Sequence, residues 1–146
     1  VSYLPPDYTP APEQGTMTAG VYPNCILADF KALTRDQSMK FNALAVFKAT
    51  YRDTDSGNEV EDFIKFGTGR KGGDYYAGLR IERLHALLGL PVPAVGERLN
   101  PEALMAAAEG AFFCVELVET TTAQGRTFLN IKDVRADADV DVPSGF

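Results

Sequence analysis

The chain has 146 residues, 45% hydrophobic and 23% charged, with 14 Lys and Arg against 20 Asp and Glu for a net charge of −6. That length suits one domain around one core, and the composition is that of a folded protein, not a disordered one. Cys25 and Cys114 are too few for a disulfide framework and His85 is the only histidine, so no zinc-site spacing is available and neither a metal nor a cofactor is expected.

The charge is unevenly placed. Residues 20–135 hold all fourteen cations and fifteen of the carboxylates, which leaves five of the six net negative charges on the two ends. From Lys65 to Arg83 the cations Lys65, Arg70, Lys71, Arg80 and Arg83 face only Asp74 and Glu82. A pI near 4.7 therefore does not exclude a polyanionic partner, because phosphate binding needs only a local excess of Lys and Arg. The first residues carry neither a basic start nor an apolar run of signal length, and no segment approaches the roughly 20 apolar residues of a membrane span. A cytoplasmic protein without membrane contact is expected.

Residues 1–19 contain Pro5, Pro6, Pro10 and Pro12 and suit an extended arm. Alternation from Val21 to Leu33 predicts a first strand, followed by the polar turn Thr34 to Ser38. The clearest alternation runs from Met39 to Arg52. Met39, Phe41, Ala43, Ala45, Phe47, Ala49 and Tyr51 face the core, and Lys40, Asn42, Leu44, Val46, Lys48, Thr50 and Arg52 face out. After the turn-forming run Asp53 to Asn58, Glu59 to Phe66 predicts a third strand with Ile64 and Phe66 inward and Phe63 and Lys65 outward. Glu59, Glu61 and Asp62 read as its solvated end.

The period then changes. Gly67 to Gly73 is a glycine-rich loop, and Asp74 is placed to cap a helix from about Tyr75 to Leu88 that Gly89 ends. Asn100-Pro101-Glu102 caps a second helix through about Ala108. Ala111 to Glu119 and Arg126 to Val134 form a closing hairpin. The expected fold is mainly β with α (α+β): a five-stranded OB-like barrel with a helix between strands 3 and 4, spanning residues 20–135, and residues 136–146 form an acidic tail.

Gly67 to Gly72 spells G-x-G-x-x-G, the form of a dinucleotide fingerprint, but its context argues against that reading. The preceding strand alternates with acids and no buried parallel strand follows the helix. What remains is a flexible basic loop whose amides, with Arg70 and Lys71, can meet phosphates, or a surface turn that uses glycine for positive φ. No enzyme is expected: His85 is a lone helical histidine, and Glu116 and Glu119 point to opposite faces of one strand. The outward face of the first three strands carries more. Lys31, Lys40, Asn42, Lys48, Arg52, Phe63 and Lys65, with Arg70, Lys71, Tyr75 and Tyr76 nearby, set cations among exposed rings. Single-stranded nucleic acid is bound without reading sequence in this way, phosphates on the cations and bases stacked on the rings.

On these residues the chain resembles the single-stranded-DNA-binding proteins of bacteriophage replication and recombination modules. The likeness covers about residues 20–135. It rests on Gly20-Val21-Tyr22, the long second strand, the helix Leu79 to Leu88, and the pattern Phe113-Cys114-Val115-Glu116-Leu117 followed by Gly125 to Val134. A second likeness lies in the tail, where Asp137, Asp139 and Asp141 precede a final Phe146, as in single-strand binders that recruit replication and repair enzymes through acidic, Phe-ended tails. The resemblance implies a non-enzymatic, oligomeric coat on displaced single-stranded DNA in the host-cell cytoplasm, with the tail as a contact for replication or recombination proteins. Tail carboxylates could also occupy the basic face when DNA is absent. The rival from another class is an interaction protein on the same scaffold, a phage adaptor or a DNA-mimicking inhibitor of a host enzyme.

Overall fold

The computed structural model describes residues 17–94 and 96–136. Most of the proline-rich arm and the tail residues Asp137, Asp139, Asp141 and Phe146 lie outside them. The described residues form an α+β fold in the order β1 (Gly20–Ala32), α1 (Arg35–Met39), β2 (Ala45–Asp53), β3 (Glu59–Phe66), α2 (Gly73–Leu87), α3 (Pro101–Ala108), β4 (Phe113–Thr121) and β5 (Thr127–Ala136). The strands make one antiparallel sheet in the order β3-β2-β1-β4-β5. β3 and β5 are its two edges, and no β3–β5 ladder closes it.

β1 joins the two halves of the sheet. Cys25 to Ala32 pair with β2 and Gly20 to Cys25 with β4, and an irregularity in each ladder lets the long strand bend between them. One face of the sheet is core. Leu27, Phe30, Ala49, Tyr51, Ile64, Phe113, Val115, Leu117 and Ile131 are buried there against Ala77, Ile81 and Leu84 of α2 and Leu104 and Ala108 of α3. Met17, which the sequence assigns to the arm, also packs in this cluster, so the core begins ahead of Gly20. Burying a side chain such as Leu104 is worth about 1.5–3 kcal/mol, and this shared face holds the two helices on the sheet.

The inward parity of β2 and β3 matches the alternation from Ala45 onward, but the expected strand from Met39 to Leu44 does not form. Thr34 and Gln37 make a capping box: Thr34 Oγ1 accepts from the Gln37 amide at 3.1 Å, and Gln37 Oε1 accepts from the Thr34 amide at 2.9 Å. These local bonds nucleate a helical turn that overrides the alternation, and Asn42 at φ 56° turns the chain into β2. Met39, Phe41 and Ala43 therefore do not face the main core. Ser38, Ala43 and Val46 are buried outside that core cluster.

α2 starts earlier than expected and without the expected cap. Gly72, at φ 77°, is its N-cap residue, and the Asp74 carboxylate folds back to accept from the Gly67 amide at 2.8 Å. The glycines of this loop serve backbone geometry: Gly67 has φ 74°, and a Cβ there would come within 2.6 Å of Leu44 Cγ. α2 ends at Leu87, with Gly89 at φ 70° just past its C-cap, and Asn100 caps α3, its side chain accepting from the Ala103 amide, both as expected. The buried stripe of α2 is Ala77, Ile81, Leu84 and His85, the last donating from Nδ1 to the Ile81 carbonyl at 2.7 Å. Tyr76, Leu79, Arg80 and Arg83 lie beside that stripe and turn toward the gap between the sheet edges.

Candidate nucleic-acid interface

The outer face of β1–β3 is built by register. Lys31 stands opposite Lys48, Lys48 opposite Phe63, and Val46 opposite Lys65, and residues paired across antiparallel strands project on one side. Further along, Thr50 faces Glu61 and Arg52 faces Glu59. The carboxylates neutralise part of the expected cationic surface. Lys48 Nζ is 3.0 Å from Glu61, whose hydrogen bond raises the Lys48 pKa, and Arg52 donates from Nε and Nη2 to Glu59 at 2.9 and 2.6 Å. On the outer face of β4 and β5 the same holds, since Arg135 sits between Glu116 and Asp133 and Lys132 is 3.7 Å from Glu116.

Five of the expected cations differ. Among the described residues no carboxylate lies within 4.0 Å of Lys31, Lys40, Lys65, Arg70 or Lys71. Lys65 instead holds its ammonium 5.1 Å from the centroid of Phe41, and Phe41 lies against Phe63 with ring centroids 4.8 Å apart and planes tilted by 33°. Phe63 is therefore half-buried under a neighbouring ring and is not the open platform expected from its outward parity. Lys40, at the C-cap of α1, and Asn42 are exposed on the β1–β2 connection. Tyr75 and Tyr76 are each 66% exposed at the start of α2, their ring centroids 5.4 Å apart.

Two clefts gather these groups. Phe41, Asn42, Lys65, Thr68 and Arg70 line a small one of about 220 Å³. Phe63, Lys65, Thr68, Arg70 and Tyr76 continue into a groove of about 800 Å³ whose far wall is Phe128, Leu129 and Asn130 of β5. The groove lies along the gap between the sheet edges. The structure thus joins Asn42, Phe63, Lys65, Arg70 and Tyr76 and leaves Arg52 at the other end of β2, held by Glu59. Neither a family model nor a curated protein matches this chain.

Three contributors were not read from the sequence as site residues. Alternation alone puts Phe41 in the core, although Thr34-x-x-Gln37 signals the helical turn that moves it. Phe128 gives no signal beyond its place in a strand. Asp62, expected at the solvated end of β3, falls instead on its inward parity opposite Ala49, and an acid at an inward position is the signal that marks it. Its side chain is 12% exposed and pairs with Arg80 at 2.5 Å. Burial pushes the Asp62 carboxyl upward while Arg80 opposes that shift. Arg80 also donates to the Ile131 carbonyl and Arg83 to that of Val134, so α2 bridges β3 and β5 where no strand ladder does.

Proposed function

We propose that this protein binds single-stranded DNA, laying the strand along the groove between β3 and β5 and over the uncompensated cations near the β1–β2 connection. The observation that carries the reading is the division of the cations into those paired with carboxylates and those left unpaired, in a groove that Glu61 and Asp62 also line. Lys48, Arg52 and Arg135 are neutralised by neighbouring carboxylates, while Lys65 and Arg70 line a groove with Phe63, Tyr76 and Phe128 and have no such partner among the described residues. Unpaired cations beside rings give phosphate contacts and stacking, and neither reads base identity along most of the strand. In this reading the sheet is an OB-like barrel left open at the β3–β5 seam and bridged by α2. The protein is a phage replication or recombination factor working as an oligomer in the host cytoplasm, with the acidic tail as a contact for partner enzymes.

A second reading has an observation in its favour. Met39 and Leu44 are 61% and 82% exposed on the β1–β2 connection, which suits a protein partner better than DNA. The two are separated by fluorescence anisotropy of labelled oligothymidine titrated across a salt series, with an equal-length duplex as competitor. DNA binding predicts preference for the single strand and a log-log salt slope of roughly −2 to −4, for about 3 to 6 phosphates neutralised. The double variant Lys65→Glu/Arg70→Glu should weaken binding at least about tenfold, while Arg52→Glu, whose cation is already paired, should change it by less than about threefold. No binding by the wild type at low salt, with and without residues 137–146, would move the assignment to a protein partner.

A further inference from the structure

The small cleft lined by Phe41, Asn42, Lys65, Thr68 and Arg70 lies among the β1–β2 connection, β3 and the glycine-rich loop. It shares Lys65, Thr68 and Arg70 with the basic groove, so the two adjoin. Its volume of about 220 Å³ is that of a sphere about 7.5 Å across, below the roughly 300–1,000 Å³ of sites that take a whole drug-sized ligand. The occupant that suits it is a small group within reach of every polar side chain in the wall.

Those side chains offer donors. Among the described residues no carboxylate lies within 4.0 Å of Lys65 or Arg70, and none lines the cleft. Phe41, in the same wall, holds the Lys65 ammonium 5.1 Å from its ring centroid and so keeps that charge beside the cleft. Thr68 Oγ1 accepts from the Arg70 amide at 3.2 Å, which leaves its hydroxyl proton to donate. Asp74, the one carboxylate of the loop, is engaged by the Gly67 amide at 2.8 Å. Two positive charges beside a hydroxyl and the Asn42 amide answer an anion with several oxygens. An internal phosphodiester offers one charge and two free oxygens. A terminal phosphomonoester offers three oxygens and carries about −1.5 to −2 at pH 7, which matches both cations.

We propose that this cleft seats the terminal phosphomonoester of a DNA strand, with Lys65 and Arg70 on its oxygens and Thr68 and Asn42 donating beside them. A contact indifferent to base sequence then distinguishes a phosphorylated strand end from a bare one. Delivery of the phosphate by a strand in the groove rests on the DNA-binding reading; the affinity of the cleft for phosphate does not.

Internally labelled oligothymidine bearing a 5′-phosphate, a 3′-phosphate or neither is titrated by anisotropy at about 0.15 M ionic strength, where charge away from a contact is largely screened. At least one phosphorylated end should bind about tenfold tighter than the bare strand, and the arm that does so identifies the end. Lys65→Met and Arg70→Met should each reduce that ratio to about twofold or less, whereas Arg52→Met, whose cation is paired with Glu59, should keep it. In parallel, inorganic phosphate is titrated into the DNA-free protein against the amide resonances of Gly67 to Arg70, with chloride at equal ionic strength as the reference. It should shift them saturably in the wild type and not in Lys65→Met/Arg70→Met. Equal affinity for the three oligonucleotides overturns the proposal and leaves strand binding standing, as does a ratio that survives in both single variants. Phosphate that shifts these amides while no oligonucleotide binds overturns strand binding and upholds the phosphate seat; failure of both overturns both.

Discussion

Cys25 sits where β1 passes from one half of the sheet to the other, fully buried, and the burial together with Asp53 pushes its thiol from the ordinary 9.0 up to about 12. Between those values an unfolded chain releases the proton and the folded chain keeps it, so this residue removes stability as pH rises. Wild-type unfolding free energy in urea should therefore fall between pH 9 and about 11 relative to Cys25→Ala. Parallel pH profiles for the two proteins would contradict that assignment. The legibility of single residues in the sequence depends on the same distinction between position and partner. The alternation of β2 and β3 puts Lys48, Arg52, Phe63 and Lys65 on one face, as the register has it. It carries no information on which cations meet a carboxylate, because the pairing of Arg52 with Glu59 is set by the length of the turn between the strands.

Elements bounded by strong local chemistry were readable. Gly89 and Asn100 mark helix ends, and alternation alone delimits β3 from Glu59 to Phe66. The β1–β2 connection was not, because two local signals compete there: an alternating apolar run from Met39 and a capping box from Thr34. The box prevails since it satisfies two backbone amides at once, whereas a strand at that point would need a further neighbour to pair with. Thr34→Ala should cost about 1 kcal/mol of unfolding free energy, and by loosening the segment that places Phe41 over Phe63 it should raise the exposure of both rings. Urea denaturation checks the energy. An unchanged midpoint would mean that α1 is held by tertiary contacts alone.

For the whole molecule, strand number, their antiparallel order and the helix between β3 and β4 follow from turn signals and period, and the α+β class was legible on those grounds. What spans the gap between the two sheet edges was not. It is settled by side chains far apart in sequence, with Arg80 reaching Asp62 on one edge and the Ile131 carbonyl on the other. Arg80→Met should leave Asp62 buried without its counter-charge. The cost is about 1–3 kcal/mol, below that of a fully buried pair because the arginine is 37% exposed. Hydrogen exchange should accelerate at Ile131 to Val134, and restoration of part of the stability by adding Asp62→Asn would identify the stranded carboxylate as the cause; unaltered exchange there would mean the bridge carries no strain between the edges. The bridge has a consequence for life in a crowded cell as well. An open antiparallel sheet offers its last strand as a template on which another chain can add, the first step toward aggregates. On β5 the carbonyls of Ile131 and Val134 already accept from guanidinium groups of α2. A passing strand finds those acceptors occupied and the side chains of α2 in its way, so the helix that spans the gap also hinders copies of the fold from growing into one another.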